Sequence, residues 1–581
     1  MPSFQFNFSL GANPRPRPLG RVSIGILLLY GLSLLLIHLG DMRVLTRHEV
    51  LAAEPAREML HWGSLKLWML PMLAGIPREA KPPGMMWLIA GSIYIFRSEA
   101  EWVARLPSAL AGFAVAVMIA KLAARWFGDR IGRLAGLVQL SSVYILMQAK
   151  LAETDMCLVA AVCAALCSLG IGVIDSPFGL ETGRKNRMVF WLATGAAFLL
   201  KGPIGPLFIG MATMAFFFVS RREWGRRDWR IVTFLAEPVG IICCLILVTG
   251  CPLMAWRLDP NIIGVWNSEA VGTATGKFGS DPFYYYLWSV PVMLLPWTPM
   301  TIIGLRRGPN AELAGSVNEQ ANRAMLWKFL FCWFVPGILF LTIGMKMKHH
   351  HYSMPVLPPL TIMSALGLDY YVRRQTSRRQ GLVWPFFLGG CIVAAAAVKM
   401  LHQIPGGMKP PVIALIAILA VGGLASLHFE RLRSPGAVLV SYFLTAWAVG
   451  VGVQAWAMPP QDDFRFQAEF ARAVSGAVPP GDTIYMLGDR EEEQEAEYAY
   501  YLRFPMQRLV TADEFIAAAR NSGVQPTFAI APAGYMPKLS GAGQMTILMR
   551  CDGLRQKESE ADRLCLVRVT FNWQADSSEK F

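Results

Sequence analysis

The ionisable residues of this chain gather where apolar runs end. Arg47-His48-Glu49, then Glu54, Arg57 and Glu58, stand after the first run, and Lys81 heads a short apolar stretch. Glu153 and Asp155 open another run, Lys201 separates two, and Lys346, Lys348, His349, His350, His351 and Tyr352 lie between two more. A carboxylate or imidazole can take the proton of an acceptor hydroxyl or amine, and cations can stabilise a departing phosphate. Lysine serves a phosphate as a point charge. Each residue also has a plainer role open to it: Lys81, Lys201 and Lys348 can snorkel to headgroups, and Glu54 with Arg57 has the spacing of a helix ion pair. Three adjacent histidines lack the helical or strand spacing that converges on one ion, so no metal site is expected, although a divalent cation stays compatible with the residue types.

The elements that must position these groups are membrane spans. Of the 581 residues, 54% are hydrophobic and 16% charged, against about 25% charged in soluble domains. The net charge of +14 falls in short arginine clusters between apolar runs, which points to a lipid bilayer and its headgroups as partner and away from nucleic acid. A span needs about 20 apolar residues. About thirteen runs qualify on that rule, near 22–40, 104–124, 131–149, 155–174, 188–200, 203–219, 231–256, 284–305, 325–345, 352–371, 382–400, 411–428 and 435–457. Met85 to Phe96 is too short and follows Pro82-Pro83-Gly84, so it reads as re-entrant or interfacial. Leaving it out places every basic cluster on one side: the N-terminal Arg15, Arg17 and Arg21, Arg125 to Arg133, Arg184 to Arg187, Ser220 to Arg230, Arg306-Arg307, Arg373 to Arg379, and Arg431 with Arg433. The positive-inside rule then sets the N-terminus in the cytoplasm and the C-terminus outside.

The expected domains are a transmembrane domain over 1–457, whose first outer loop is 41–105, and a periplasmic domain over 458–581. In the latter, Asp482 to Leu487, Thr527 to Ala531, Met545 to Met549 and Cys565 to Thr570 read as strands and Ala512 to Arg520 as a helix. The fold expected is therefore an all-α polytopic membrane domain with a small C-terminal α/β domain. The acidic run Asp489 to Glu497 reads as a solvated face. Cys551 and Cys565 are the cysteines in a polar region, where an outer location permits pairing; the other eight sit in or beside apolar runs as small hydrophobes.

In order along the chain, several motifs resemble the polyprenyl-phosphate-dependent glycosyltransferases of the GT-C fold, the group of the lipid A aminoarabinose transferases and protein O-mannosyltransferases. His48-Glu49 through Glu54 to Arg57-Glu58-Met59 resembles their first-loop motif, and Lys81-Pro82-Pro83 their Lys-Pro-Pro motif. Trp102 with Arg105-Leu106-Pro107-Ser108, Thr154-Asp155-Met156, Lys201-Gly202-Pro203, Pro282-Phe283-Tyr284-Tyr285 to Pro296-Trp297, and Lys348 to His351-Tyr352 follow in family order. The sequence departs from the family at His48, where relatives have Asp, at Ala80, where they often have Glu, and at Gly279, near which the aminoarabinose enzymes carry His. The resemblance implies inverting transfer of a sugar from a polyprenyl-phosphate donor to an outer lipid, glycan or protein acceptor, in an inner membrane with a periplasmic active site. In the family the aspartate at the His48 position is the candidate base, so here either Glu49, the nearest carboxylate, helped by His48, or His48 itself is expected in that role, with Asp155 as a further catalytic residue and Lys81, Lys201, Lys348, His351, Tyr352 and Arg57 as substrate-binding residues. A transporter or flippase of a lipid-linked substrate would place charges near the midplane and show inverted repeats, which this sequence does not; a scaffold that has lost catalysis is the other alternative.

Overall fold

The computed structural model describes residues 18–40, 45–61, 64–73, 76–77, 81–174, 183–225, 228–277, 279–309, 317–378, 409–457, 465–479, 481–488, 498–502, 506–553 and 559–571. The apolar run 382–400, the acidic run 489–497, Arg15, Arg17, Glu79 and Ala80 lie outside these residues.

Among the described residues, seven helices are long and apolar enough to cross a membrane, or eight when one bent pair counts as a span, so the count of about thirteen is not reached by length and composition. Most of the other runs also form helices, but shorter or interrupted ones. The run 131–149 is broken into α6 (Asp129–Ser141) and α7 (Val143–Gln148) at a serine pair. Both hydroxyls turn back to the helix, Ser141 donating to Leu137 O at 2.6 Å and Ser142 to Val138 O at 2.8 Å, the local competition that bends apolar helices. The run 284–305 is α14 (Tyr285–Met293) and α15 (Thr298–Arg307), meeting at 103°. Pro291, Pro296 and Pro299 withhold the amides that would carry the helix through the bend. The two breaks satisfy each other: Val143 N–H donates to Leu295 O at 2.9 Å, and the buried Trp297 indole donates to Ser141 Oγ at 3.0 Å. Backbone groups freed inside a bilayer need such protein partners.

Burial orders the helices from centre to rim. The α8 helix (Thr154–Ile174) is 78% buried inside the protein, whereas α12 (Pro238–Leu258), of similar hydropathy, is 22% buried. An apolar helix that turns Ile242, Leu245, Ile246, Leu253 and Met254 outward needs hydrocarbon around it. The inner helices approach through small residues. Gly132 of α6 lies against Ala120 O and Ala124 of α5 (Glu101–Phe127). Gly304 of α15 and Gly367 of α17 (Pro358–Arg378) are reciprocal: a Cβ on the first would overlap Met363 O, and on the second Met300 O.

Outside the helical body, the first loop forms α2 (Arg47–His61), α3 (Leu65–Met69), a short hairpin of β1 (Met72–Leu73) and β2 (Ile76–Pro77), and α4 (Gly84–Phe96). The C-terminal segment forms β3 (Ile484–Leu487), β4 (Met506–Leu509), β5 (Thr527–Pro532), β6 (Gly543–Arg550) and β7 (Leu564–Phe571) in the order β4-β3-β5-β7-β6. The pairs β4/β3 and β3/β5 are parallel and the remainder antiparallel. Side chains alternate between faces as a pleat requires. Tyr485, Leu487, Ala529 and Ala531 pack with Phe515 and Ala519 of the helix Ala512–Ser522. Ile484, Met486, Phe528 and Ile530 join an apolar cluster that also holds Leu45, Val50, Ala53, Met59 and Ile89 of the first loop. Polar contacts close the same joint: Tyr501 Oη accepts from Leu45 N at 2.9 Å and donates to Glu101 at 3.2 Å, Tyr500 donates to Glu99 O at 2.7 Å, and Arg472 pairs with Glu101 at 3.0 Å. Cys551 and Cys565 are free buried thiols, the first in the cluster facing the loop and the second on the opposite face of the sheet, so the pairing open to them in the sequence is not made.

The close glycine crossing yields a stability test. Gly367→Ala is expected to lower the melting temperature of the purified protein in detergent, at the upper end of the ~1–3 kcal/mol typical of overpacking, because the obstructing atom is backbone. Gly250→Ala, where nothing lies within 4 Å of an added Cβ, serves as control. Equal melting of both variants would contradict the packing of α15 on α17.

Candidate functional site

The entry to α2 is fixed by its own sequence. Thr46-Arg47-His48-Glu49 forms a reciprocal cap: Thr46 N–H donates to Glu49 Oε2 at 2.8 Å and Glu49 N–H to Thr46 Oγ1 at 3.4 Å. The same carboxylate receives the Arg105 guanidinium at 2.7 Å and 3.1 Å and the Ala152 N–H at 2.9 Å. Arg105 also donates to Leu39 O at 3.1 Å. Both side chains are fully buried, at 0% and 1% exposure. Four donors occupy a group with about four lone-pair directions. Burial pushes the Glu49 carboxyl up, but the charge and bonds of Arg105, with the Ala152 and Thr46 amides, outweigh it and hold the group below the usual carboxylate range. Glu49 thus joins α2, α5 and the turn before α8, and offers no free lone pair to a substrate proton.

Beside it, Asp155 in the first turn of α8 meets Lys201 in the last turn of α9 (Arg184–Lys201), Oδ1 to Nζ, at 2.5 Å. A carboxylate at a helix start and an ammonium at a helix end both suit the helix dipole. Gly202 leaves the helix at φ +64°, which lets the chain turn at once into Pro203 and α10 (Ile204–Trp224). The Lys201 ammonium also lies 5.1 Å over the Tyr352 ring. Lys81, half-buried just before α4, faces Glu153, Asp155 and His351 electrostatically.

His349 to Tyr352 lie at the start of the 3₁₀ turn His350–Val356. His349 and His351 stack at 5.2 Å, and His351 meets Tyr352 edge-on at 4.7 Å. Burial pushes His351 down to about 3; Asp155 works against this while Lys201, His349 and Lys81 reinforce it, so the ring is neutral at pH 7. His350 is held apart from this pair by Tyr285, whose Oη lies 3.1 Å from Nδ1. Among the described residues, no group of three histidine, cysteine or carboxylate side chains is placed to hold a metal ion.

Three residues grouped with this site by sequence have other neighbours. Lys348 turns its ammonium to the carbonyls of Met345 at 2.8 Å, Asp281 at 3.3 Å and Lys346 at 3.4 Å, while its N–H donates to Asp281 Oδ2 at 2.8 Å. It ties the histidine loop to the segment before α14. Arg57 is buried against Glu54, at 2.9 Å and 2.7 Å, and reaches Ala499 O at 3.2 Å; it faces the C-terminal joint. His48 is exposed on α2, within the electrostatic field of His349.

Glu153 stands among the ionisable residues at the ends of the apolar runs, but no motif gives it a role. Its backbone is pinned, Ser108 Oγ donating to its carbonyl at 3.1 Å, and its carboxyl is pushed up to about 7 by burial, then Asp155 and Glu49, with Lys201 and Lys81 opposing.

A family model described as dolichyl-phosphate-mannose-protein mannosyltransferase matches residues 80–249. An undecaprenyl phosphate-alpha-4-amino-4-deoxy-L-arabinose arabinosyl transferase of Aeromonas salmonicida is 24% identical over 504 residues, covering 81% of this chain and 87% of that one. The corresponding enzyme of Photorhabdus laumondii is 27% identical over 331 residues, covering 55% of this chain and 54% of its own, so the chain spans about half the length of that relative. Among solved structures, ArnT from Cupriavidus metallidurans superposes with a TM-score of 0.71 in the apo state and 0.69 bound to undecaprenyl phosphate, each at 19% identity and covering 94% of this chain and 97% of that one. The chain is therefore a multi-pass membrane protein with the GT-C fold, similar in sequence to the aminoarabinose and mannosyl transferases that use polyprenyl-phosphate sugars.

Proposed function

We propose that this protein is an inverting glycosyltransferase that moves a sugar from a polyprenyl-phosphate donor to a lipid, glycan or protein acceptor on the periplasmic side of an inner membrane. Its similarity to the undecaprenyl-phosphate aminoarabinose transferases makes that donor, with lipid A as acceptor, the pair to try. The observation that carries the reading is the Lys201–Asp155 pair set beside Lys81, His351 and a second carboxylate where the apolar helix α8 begins and α9 ends. A lipid-borne phosphate reaches such a place from the bilayer without leaving the headgroup layer.

In this mechanism Lys81 and Lys201 face the donor phosphate and stabilise the negative charge that grows as the sugar leaves. Asp155 holds Lys201 in place, Tyr352 offers a face to the same ammonium, and neutral His351 adds a polar wall without adding charge. Attack from the face opposite the phosphate inverts the anomeric centre. Glu49 acts by position: with Arg105 it sets α2 against the turn that carries Glu153. His48 stands exposed on α2, and Lys348 and Arg57 brace the histidine loop and the C-terminal joint. Residues 1–457 form the transferase domain and 458–581 a periplasmic domain, with the arginine clusters in the cytoplasm. Reporter fusions after Arg230 and after Phe581 are expected to give cytoplasmic and periplasmic signals respectively.

Transfer of labelled aminoarabinose from its undecaprenyl-phosphate carrier to lipid A in proteoliposomes, with mass spectrometry of the product, tests the reading. Lys201→Ala and Lys81→Ala should each lower kcat by about 10²-fold or more, the scale for losing one preorganised partner of a developing oxyanion. Near-normal rates in both would remove the phosphate from this cluster.

Glu49→Gln is expected to fail first in stability. It leaves Arg105 buried without its counter-charge, a loss of about 3–5 kcal/mol that thermal unfolding in detergent would register. Because the folded Glu49 value is lowered, its contribution is full above the unfolded carboxyl value of about 4.3 and is lost as pH falls through the folded one. Wild-type protein should therefore show the larger fall in melting temperature below pH ~4, and the variant little from this site.

A further inference from the structure

We infer that Glu153 is the carboxylate that takes the acceptor's proton. This rests on the transferase reading above and names the base within it. Among the described residues, Glu153 and Asp155 both face Lys201 and Lys81, and Glu49 faces Glu153 from behind. Glu49 is closed to substrate by four donors, and Asp155 is bound to Lys201. Among the described residues, no donor is bonded to the Glu153 carboxylate, and the side chain is part-exposed rather than sealed. Its main chain is held from both sides, Ala152 N–H on Glu49 and Glu153 O on Ser108, so the side chain starts from a fixed backbone. A general base needs that combination: an available lone pair, a rigid mount and cations close to the leaving group.

The charges around Glu153 tune it. Asp155 on α8 and Glu49 on α2 disfavour its anion; Lys201 on α9 and Lys81 before α4 favour it. Behind these stand Arg105 on α5, spent on Glu49, and neutral His351, which faces Asp155. The balance leaves the carboxyl at about 7, where it is both half-ionised and basic enough to accept a proton. In the transfer step the acceptor O–H, or N–H, gives its proton to a Glu153 oxygen, the acceptor atom bonds to the anomeric carbon, and the bond from that carbon to the phosphate oxygen breaks. The electron pair stays on the phosphate beside Lys81 and Lys201. The carboxylic acid then returns its proton to water.

The assay is transfer from undecaprenyl-phosphate aminoarabinose to lipid A in proteoliposomes, with binding of undecaprenyl phosphate and the melting temperature measured on the same preparations. Glu153→Gln should lower kcat by about 10²- to 10⁴-fold, with phosphate-lipid binding and melting near wild type. Glu153→Asp, which keeps the acid on a shorter arm, should recover part of the rate. Wild-type kcat should fall tenfold per pH unit below about 7, and the residual rate of Glu153→Gln should lack that limb. Glu153→Gln within threefold of an active wild type would overturn the inference and leave the transferase reading standing. A wild type that binds the lipid but transfers nothing to any acceptor class would overturn both.

Discussion

A charge withdrawn from water must bring its partner with it, and this requirement is met most completely at Glu49 and Arg105. The pair is bidentate, wholly buried, and supplemented by the Ala152, Thr46 and Leu39 backbone. Such a pair adds little net stability compared with apolar replacements, but once built it cannot be half removed. Its effect is to specify geometry. It sets the start of α2, the first turns of α5 and the turn before α8 in one arrangement, and those are the segments from which the remaining charges of the site project.

The bilayer imposes the complementary constraint on the backbone. Helices such as α12 present apolar side chains on nearly every face, which hydrocarbon accepts, but breaks in α6/α7 and α14/α15 expose peptide groups that hydrocarbon does not. The breaks therefore face each other, with Leu295 O and the Trp297 indole meeting Val143 and Ser141. One of these broken helices leads into Glu153 and the other begins at Tyr285, which holds His350. The departures from regular helix thus lie next to the histidine loop and the carboxylate turn.

Much of this was legible in the sequence, and the failures have physical causes. Apolar runs announced helices because a bilayer selects for composition, yet composition does not report a bend, and the serine pair at 141–142 and the prolines at 291, 296 and 299 were needed to see where runs stop being spans. In the C-terminal sheet, the strands with alternating apolar residues were found near their observed places. The edge strand Met506–Leu509 was not, since exposed Gln507 and half-exposed Arg508 leave no pattern to read, nor was the helix Arg465–Ala477. At the site, Asp155, Lys201 and His351 were legible because ionisable groups at the ends of apolar runs are conspicuous. Arg105 stands in one of the quoted motifs but carried no role there, because an arginine early in a helix resembles a surface residue until Glu49, 56 positions earlier, is seen against it. The Thr46-to-Glu49 spacing is that of a capping box, which the structure forms.

The departure of His48 from the family's aspartate acquires a structural meaning from the same charge balance. His48 lies on the exposed side of α2, near His349, while the next residue, Glu49, turns inward and is consumed by Arg105. Adjacent helical positions point about 100° apart, so the two cannot substitute for one another. A histidine at this outer position therefore leaves the inner Glu49–Arg105 lock unaffected. The negative charge that stays accessible lies instead on the turn between α7 and α8, set by Glu49 from behind and faced by Lys81 and Lys201. The lock and the reactive carboxylate are distinct groups joined through a single backbone amide, that of Ala152, which lets one be fully satisfied so that the other can remain available.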